Sequence, residues 1–186
     1  HIPLFVCSPD CAKGRREALT ATIDLAPTIL EVHGGTPNPE MHGQSIAPLL
    51  SADAPHHDWV LYGYFGKDVT MTDGRTTYTR QPLAGSVTHL HTGDLRNIRV
   101  DEETMRKAES GVFLAETRGI PHFRMAVPSH RHRDAPEGSL IYDLVADPNQ
   151  QHPVQSADRE VELAQTMRDL LRRYDAPESQ FTRLGL

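Results

Sequence analysis

Apolar and polar residues alternate along the chain in segments that each suggest one element. Residues 2–6, Ile2 to Val6, are continuously apolar and run into a polar stretch holding Pro9 and Gly14. Such a run predicts a short strand covered on both faces, followed by a loop. Leu25, Ile29 and Val32 then recur at helical spacing, with Ala26 and Leu30 beside them, which predicts a helix over 25–33. Asp24 is its expected N-cap, because that choice leaves Pro27 in the first turn, where no N–H is needed. Gly34 and Gly35 supply a left-handed end. Residues 36–58 read as loop, with a short helical turn over Ser45–Leu50. Trp59 to Phe65 reads as an aromatic-rich strand. Asp73-Gly74 lies between two β-prone runs, Asp68–Thr72 and Arg75–Arg80, the signature of a hairpin.

The second half is less regular. Residues 82–100 show no period and are expected to be irregular. Asp101–Glu109 is expected to be helical, with its acidic residues at the positive end. Pro121–Val127 and Leu140–Val145 read as strands, and Ser129–Gly138 as a charged loop. Ser156 caps an expected helix over 157–174, in which Val161, Ala164, Met167, Leu171 and Tyr174 share one face with Leu163 and Leu170 beside them. Pro177 is expected to leave the tail from Asp175 extended. No internal repeat is visible.

Composition narrows the function classes. The 186 residues carry 19 Lys and Arg against 25 Asp and Glu, a net charge of −6. That balance excludes a nucleic-acid or membrane-surface binder working through a basic face. No apolar run approaches the ~20 residues that span a bilayer, and no signal peptide is visible. Leu, Ile, Val and Phe make up just over a fifth of the chain, close to the roughly 20% below which disorder is expected. The first residue is His1, and an apolar run starts at once. A thin core with so abrupt a start predicts a piece of a longer protein, cut inside an ordered region. The two cysteines, Cys7 and Cys11, make no disulfide framework and assign no compartment. The 11 histidines are scattered, without zinc-ligand spacing. His89 and His91, like His130 and His132, share a face only if their segment is extended.

Four segments, in order, resemble the sulfatase family of the alkaline-phosphatase-like superfamily, over its C-terminal portion only. They are the strand-like run His1–Val6; Thr22-Ile-Asp-Leu-Ala-Pro-Thr-Ile-Leu-Glu-Val-His-Gly34, similar to an "iDlaPTlLdlaG" helix; His42-Gly-Gln-Ser-Ile-Ala-Pro-Leu-Leu50, similar to a "GxSLxPLL" turn; and Leu140-Ile-Tyr-Asp-Leu-Val-Ala-Asp-Pro148, similar to an "LYDLxxDP" strand. Residues 83–135 match weakly. The resemblance implies α/β followed by α+β: residues 1–52 as the tail of the N-terminal α/β domain, and 53–186 as a C-terminal α+β subdomain of a small antiparallel sheet with a C-terminal helix packed on it.

The resemblance also implies a parent enzyme that hydrolyses sulfate esters through a formylglycine nucleophile and a calcium-type divalent cation. Both belong to a missing N-terminal sulfatase domain, the implied partner of this chain, so no catalytic or metal residue is expected here and the chain alone should be inactive. Cys7-Ser8-Pro9 mimics the start of the C/S-x-P-x-R nucleophile motif. Cys11 stands where the motif has Arg, and the segment follows the family's late strand, so it is read as a surface loop. The candidates for lining the substrate pocket are His89, His91 and Arg75, because Arg offers a fork matched to oxyanions and His can donate to a sulfate oxygen. Two other readings stand beside this one. The first is a phosphodiesterase or phosphonate hydrolase of the same superfamily, since C-terminal motifs do not report which atom is attacked. The second is a non-catalytic module that binds metal or ligand through histidine.

Overall fold

The computed structural model describes residues 2–9, 11–96, 98–130 and 138–186. It divides into two compact units, residues 1–60 with the turn 72–75, and residues 61–71 with 76–186. The charged loop expected over Ser129–Gly138 falls largely outside the described residues, as does His132.

The first unit is built around α1 (Leu25–Val32), entered through a 3-10 turn over Thr22–Asp24. Pro27 is buried in the first turn of α1. The helix ends as its two glycines predict: Gly34 N–H bonds to the Glu31 carbonyl (2.9 Å) and Gly35 N–H to the Leu30 carbonyl (2.8 Å), with Gly34 at φ 73°. This pair of bonds satisfies the last carbonyls of the helix. The turn expected near Ser45–Leu50 is a 3-10 helix over Ala47–Leu50. Arg16 Nε donates to the Leu49 carbonyl (2.6 Å) and Ala12 N–H to the Leu50 carbonyl (2.9 Å), so the polar loop after Val6 is tied to this turn.

Two expectations for this unit are corrected. Asp24 does not cap α1 with its side chain; its own backbone is already helical, and its carboxylate is turned to other partners. Ile2 to Val6 form no strand. A strand needs a neighbouring ladder, and the described residues of this chain bring none to it. Ile2, Leu4, Phe5 and Val6 are consequently exposed, Phe5 to 92%. Ile29 and Val32 of the α1 stripe are also exposed. They line a shallow apolar trough with Val6, Leu25, Ile46 and Leu50.

Two small antiparallel sheets follow, an arrangement compatible with an α/β or α+β fold. The first has the order β1 (Val60–Gly63), β2 (Val69–Thr72), β3 (Thr76–Arg80), β7 (Leu140–Asp143), and the second β4 (Val87–Thr92), β6 (His122–Pro128), β5 (Glu109–Gly111). The β2–β3 hairpin turns where expected. Gly74 sits at φ 85°, Thr72 Oγ1 accepts the Gly74 N–H (3.0 Å), and Asp73 Oδ1 accepts the Arg75 N–H (2.8 Å). β7 pairs antiparallel with β3, with Tyr78 opposite Ile141. Both side chains are buried in the core of the second unit, with Met71, Met125, Met167, Phe181 and Leu184.

The stretch expected to be irregular holds β4. Expected helix 101–109 is shorter: α2 covers Glu102–Arg106, its N-cap Asp101 accepting the Thr104 N–H (2.8 Å), and Glu109 starts β5. α3 (Ala157–Arg173) keeps its Ser156 cap. Its buried face is Leu163, Met167, Leu170 and Leu171, with Val161 exposed. The tail is not extended, because α4 (Glu178–Leu184) follows Pro177. α3 ends at the left-handed Asp175 (φ 50°), with the Ala176 N–H bonded back to the Leu171 carbonyl (2.9 Å), and just before a new first turn the missing N–H of Pro177 costs nothing. Arg80 then holds the far end of α4, Nε donating to the Leu184 carbonyl (2.8 Å) and Nη2 to the Gly185 carbonyl (2.7 Å). No helix among the described residues is long and apolar enough to cross a membrane.

Candidate functional site

Two clusters of chemistry-bearing side chains stand out, one in each unit. The first lies on one face of the β4–β6–β5 sheet. His89 and His91 share that face because β4 is extended, their ring centroids 6.3 Å apart. His91 is opposite Arg124 on β6, which is opposite Glu109 on β5. His122 is therefore the diagonal neighbour of His91, close enough for long side chains to meet. Its Nε2 lies 3.0 Å from His91 Nδ1. Phe113 folds back over Gly111, where a Cβ would stand 3.1 Å from the ring. The Phe113 ring packs edge-on against His122 (5.3 Å) and beneath the Arg124 guanidinium (4.0 Å). Arg124 Nε also donates to Glu109 Oε2 (2.9 Å).

The hydrogen bonds assign the protons on this face. His122 Nδ1 faces the Ile120 carbonyl (3.4 Å) and can only donate to it. In a neutral His122 that donates there, Nε2 is the acceptor, and His91 donates from Nδ1. His91 thus keeps an acceptor lone pair on Nε2. Burial first, and then the neighbouring His122, His89 and Arg124, hold the His91 pKa below its ordinary value against the opposing pull of Glu116. With Nδ1 protonated, Nε2 of a neutral His91 accepts a hydrogen bond or a proton; donating from Nε2 to a sulfate oxygen takes the other tautomer or a second proton. The charge of Arg124 is already engaged by Glu109. Arg75, the third candidate, is exposed in the β2–β3 turn and is no part of this cluster. His122 escaped sequence reasoning, since a lone histidine opening a strand carries no signal until the register is known. Cys7 is exposed and Cys11 partly so, and both are free thiols.

The second cluster centres on Asp24. The backbone at Gly43 lies against the Thr22–Asp24 turn, with no room for a side chain: a Cβ on Gly43 would stand 2.0 Å from the Ile23 carbonyl oxygen. Asp24 Oδ1 accepts the Gln44 N–H (2.9 Å) and Oδ2 the Ala21 N–H (2.7 Å). Thr28 Oγ1 donates to the Asp24 carbonyl (2.5 Å) and accepts the Ile46 N–H (2.9 Å). Two imidazoles close over the same carboxylate. His57 Nε2 lies 2.9 and 3.0 Å from its two oxygens, and His56 Nε2 lies 3.3 Å from Oδ2. Asp24 is fully buried, and the His56 and His57 side chains are 7% and 3% exposed. Burial opposes ionisation of Asp24, but the Ala21 and Gln44 amides and His57 outweigh it and hold its carboxyl below the ordinary carboxylate range.

Comparison with known proteins adds one relationship. No protein-family model matches the sequence. Over 82 residues the chain is 29% identical to Arylsulfatase K of Xenopus laevis. The match is to a sulfatase. It covers 39% of this chain and 15% of that protein, so the aligned part spans under a sixth of the relative's length. This supports a sulfatase-like relationship at most.

Proposed function

We propose that this chain is the C-terminal part of a sulfuric ester hydrolase, where it completes the fold and shapes the pocket for a small anionic sulfate ester. The nucleophile and cation of the reaction belong to an N-terminal sulfatase domain outside this sequence. The observation that carries the reading is that two segments resembling sulfatase motifs hold each other. Asp24 and Thr28 of the first take the Gln44 and Ile46 N–H groups of the second. The match to an arylsulfatase supports the same reading.

The residues present do not fit the calcium-type ion that the resemblance implies. Hard cations take six or more oxygen ligands. The cluster of possible ligands found among the described residues, Asp24 with His56 and His57, offers two imidazole nitrogens. No step of the reaction is therefore assigned to this chain through such an ion. Its own residues contribute in two ways. The exposed run Ile2–Val6 and the α1 stripe offer an apolar surface for the N-terminal domain to cover. His91 Nε2 accepts a hydrogen bond from a hydroxyl of the substrate's alcohol portion, with Phe113 beneath.

The test uses the whole parent protein, produced with a formylglycine-generating enzyme. It should hydrolyse 4-nitrophenyl sulfate, while this chain alone should not. Turnover by the chain alone would refute the division of labour. A parent that cleaves bis(4-nitrophenyl) phosphate and leaves sulfate esters untouched would replace this reading with the phosphodiesterase one.

A further inference from the structure

We infer that Asp24, His56 and His57 form a binding site for a zinc-class divalent transition-metal ion. A buried carboxylate needs donors, and Asp24 already has one backbone N–H on each oxygen. Its remaining lone pairs are already met by His57 Nε2, which reaches both oxygens. Yet adjacent His56 and His57, with ring centroids 4.4 Å apart, both aim Nε2 at it from nearly dry positions. Their lone pairs and the carboxylate are a ligand set.

The distances agree with that use. Zinc bonds of 2.0–2.1 Å in a tetrahedron put neighbouring ligand atoms about 3.3 Å apart. Here the nitrogen-to-oxygen separations run from 2.9 to 3.3 Å, and the ligand atoms all lie within 4.8 Å of one another. Binding takes each imidazole as its neutral Nδ1–H tautomer, so that Nε2 presents its lone pair. The amides of Ala21 and Gln44 orient the carboxylate from outside, as supporting donors do in metal sites. Two imidazoles and one carboxylate suit zinc, copper, nickel or iron and disfavour calcium. The ion would join the start of α1, the Gly43–Gln44 backbone that holds Asp24, and the 56–57 segment at one point. That placement makes it a structural clasp, independent of whether the parent cleaves sulfate or phosphate esters.

The experiment uses the full 186-residue chain, stripped of metal with a chelator and dialysed. Titration with Co2+ should raise the intense visible bands of a tetrahedral site, saturating at one ion per chain. One equivalent of Zn2+ should abolish them, and a hundredfold excess of Ca2+ should not. His57→Gln should weaken Co2+ binding at least a hundredfold, while His152→Gln, on an exposed residue, should leave it unchanged. Circular dichroism checks that each variant is folded, and if His57→Gln is not, the bands of the unaltered chain decide. Absence of those bands, saturation only above about 100 μM Co2+, displacement by calcium, or unchanged binding in folded His57→Gln would each overturn the site.

Discussion

Thr28 offers the sharpest test of how the first unit is held. Its hydroxyl joins two segments by donating to the Asp24 carbonyl and accepting the Ile46 N–H. The residue is 7% exposed, so water cannot replace it. Thr28→Val keeps the shape and removes the hydroxyl, leaving the Ile46 N–H without its acceptor. An unsatisfied buried group costs about 1–3 kcal/mol, and we take about 2. Thr28→Ser keeps both bonds and removes one methyl, worth about 0.8 kcal/mol. Valine, the more apolar replacement, should therefore be the more damaging one. The single Trp59 lies in the same unit, so its fluorescence reports the right transition in urea. With a slope of about 2 kcal/mol per molar, Thr28→Val should lower the midpoint by about 1 M and Thr28→Ser by about 0.4 M. A Val variant as stable as the serine one would refute the staple.

Gly43→Ala drives a Cβ into the Ile23 carbonyl, where backbone must give way; a loss of about 3 kcal/mol or more, at the upper end for overpacking, should appear as an earlier Trp59 transition. Arg80→Met removes the donors that cap α4 at Leu184 and Gly185, so amide exchange over residues 178–184 should quicken at least tenfold relative to α3. Arg75→Ala, on an exposed turn residue, should shift stability by less than about 0.5 kcal/mol. The His91 pKa is lowered in the folded chain, so above about pH 6.5 both states hold it neutral. As pH falls, the unfolded chain takes the proton first, and stability drops until the folded pKa is passed. A His91→Gln chain should show a correspondingly smaller drop over that window in urea midpoints measured against pH.

Local chemistry was legible wherever the physics was local. The Asp73-Gly74 turn, the Gly34-Gly35 helix end and the Ser156 cap all follow from residues within a few positions of each other, because turn and cap energies depend on neighbours. Expectations failed where a distant partner decides. Ile2–Val6 has the pattern of a strand, but a strand exists only beside another. Pro177 has the pattern of a stop, but Arg80, more than a hundred residues earlier in the chain, holds the helix that follows it.

The chemistry divides along the same line. The sequence by itself marked His89 and His91 as a pair that shares a face only if extended, in a segment it read as irregular, and marked Asp24 as a helix cap. Only tertiary structure brought His122 to His91, since that meeting depends on the register of β4 against β6. Only tertiary structure showed that Asp24 is an internal anchor, with partners at residues 21, 44, 56 and 57. Hydrogen bonds and metal ligands are matters of distance in space, and the stretch between Asp24 and His56, which holds α1 and a 3-10 turn, leaves no spacing from which that distance could be read.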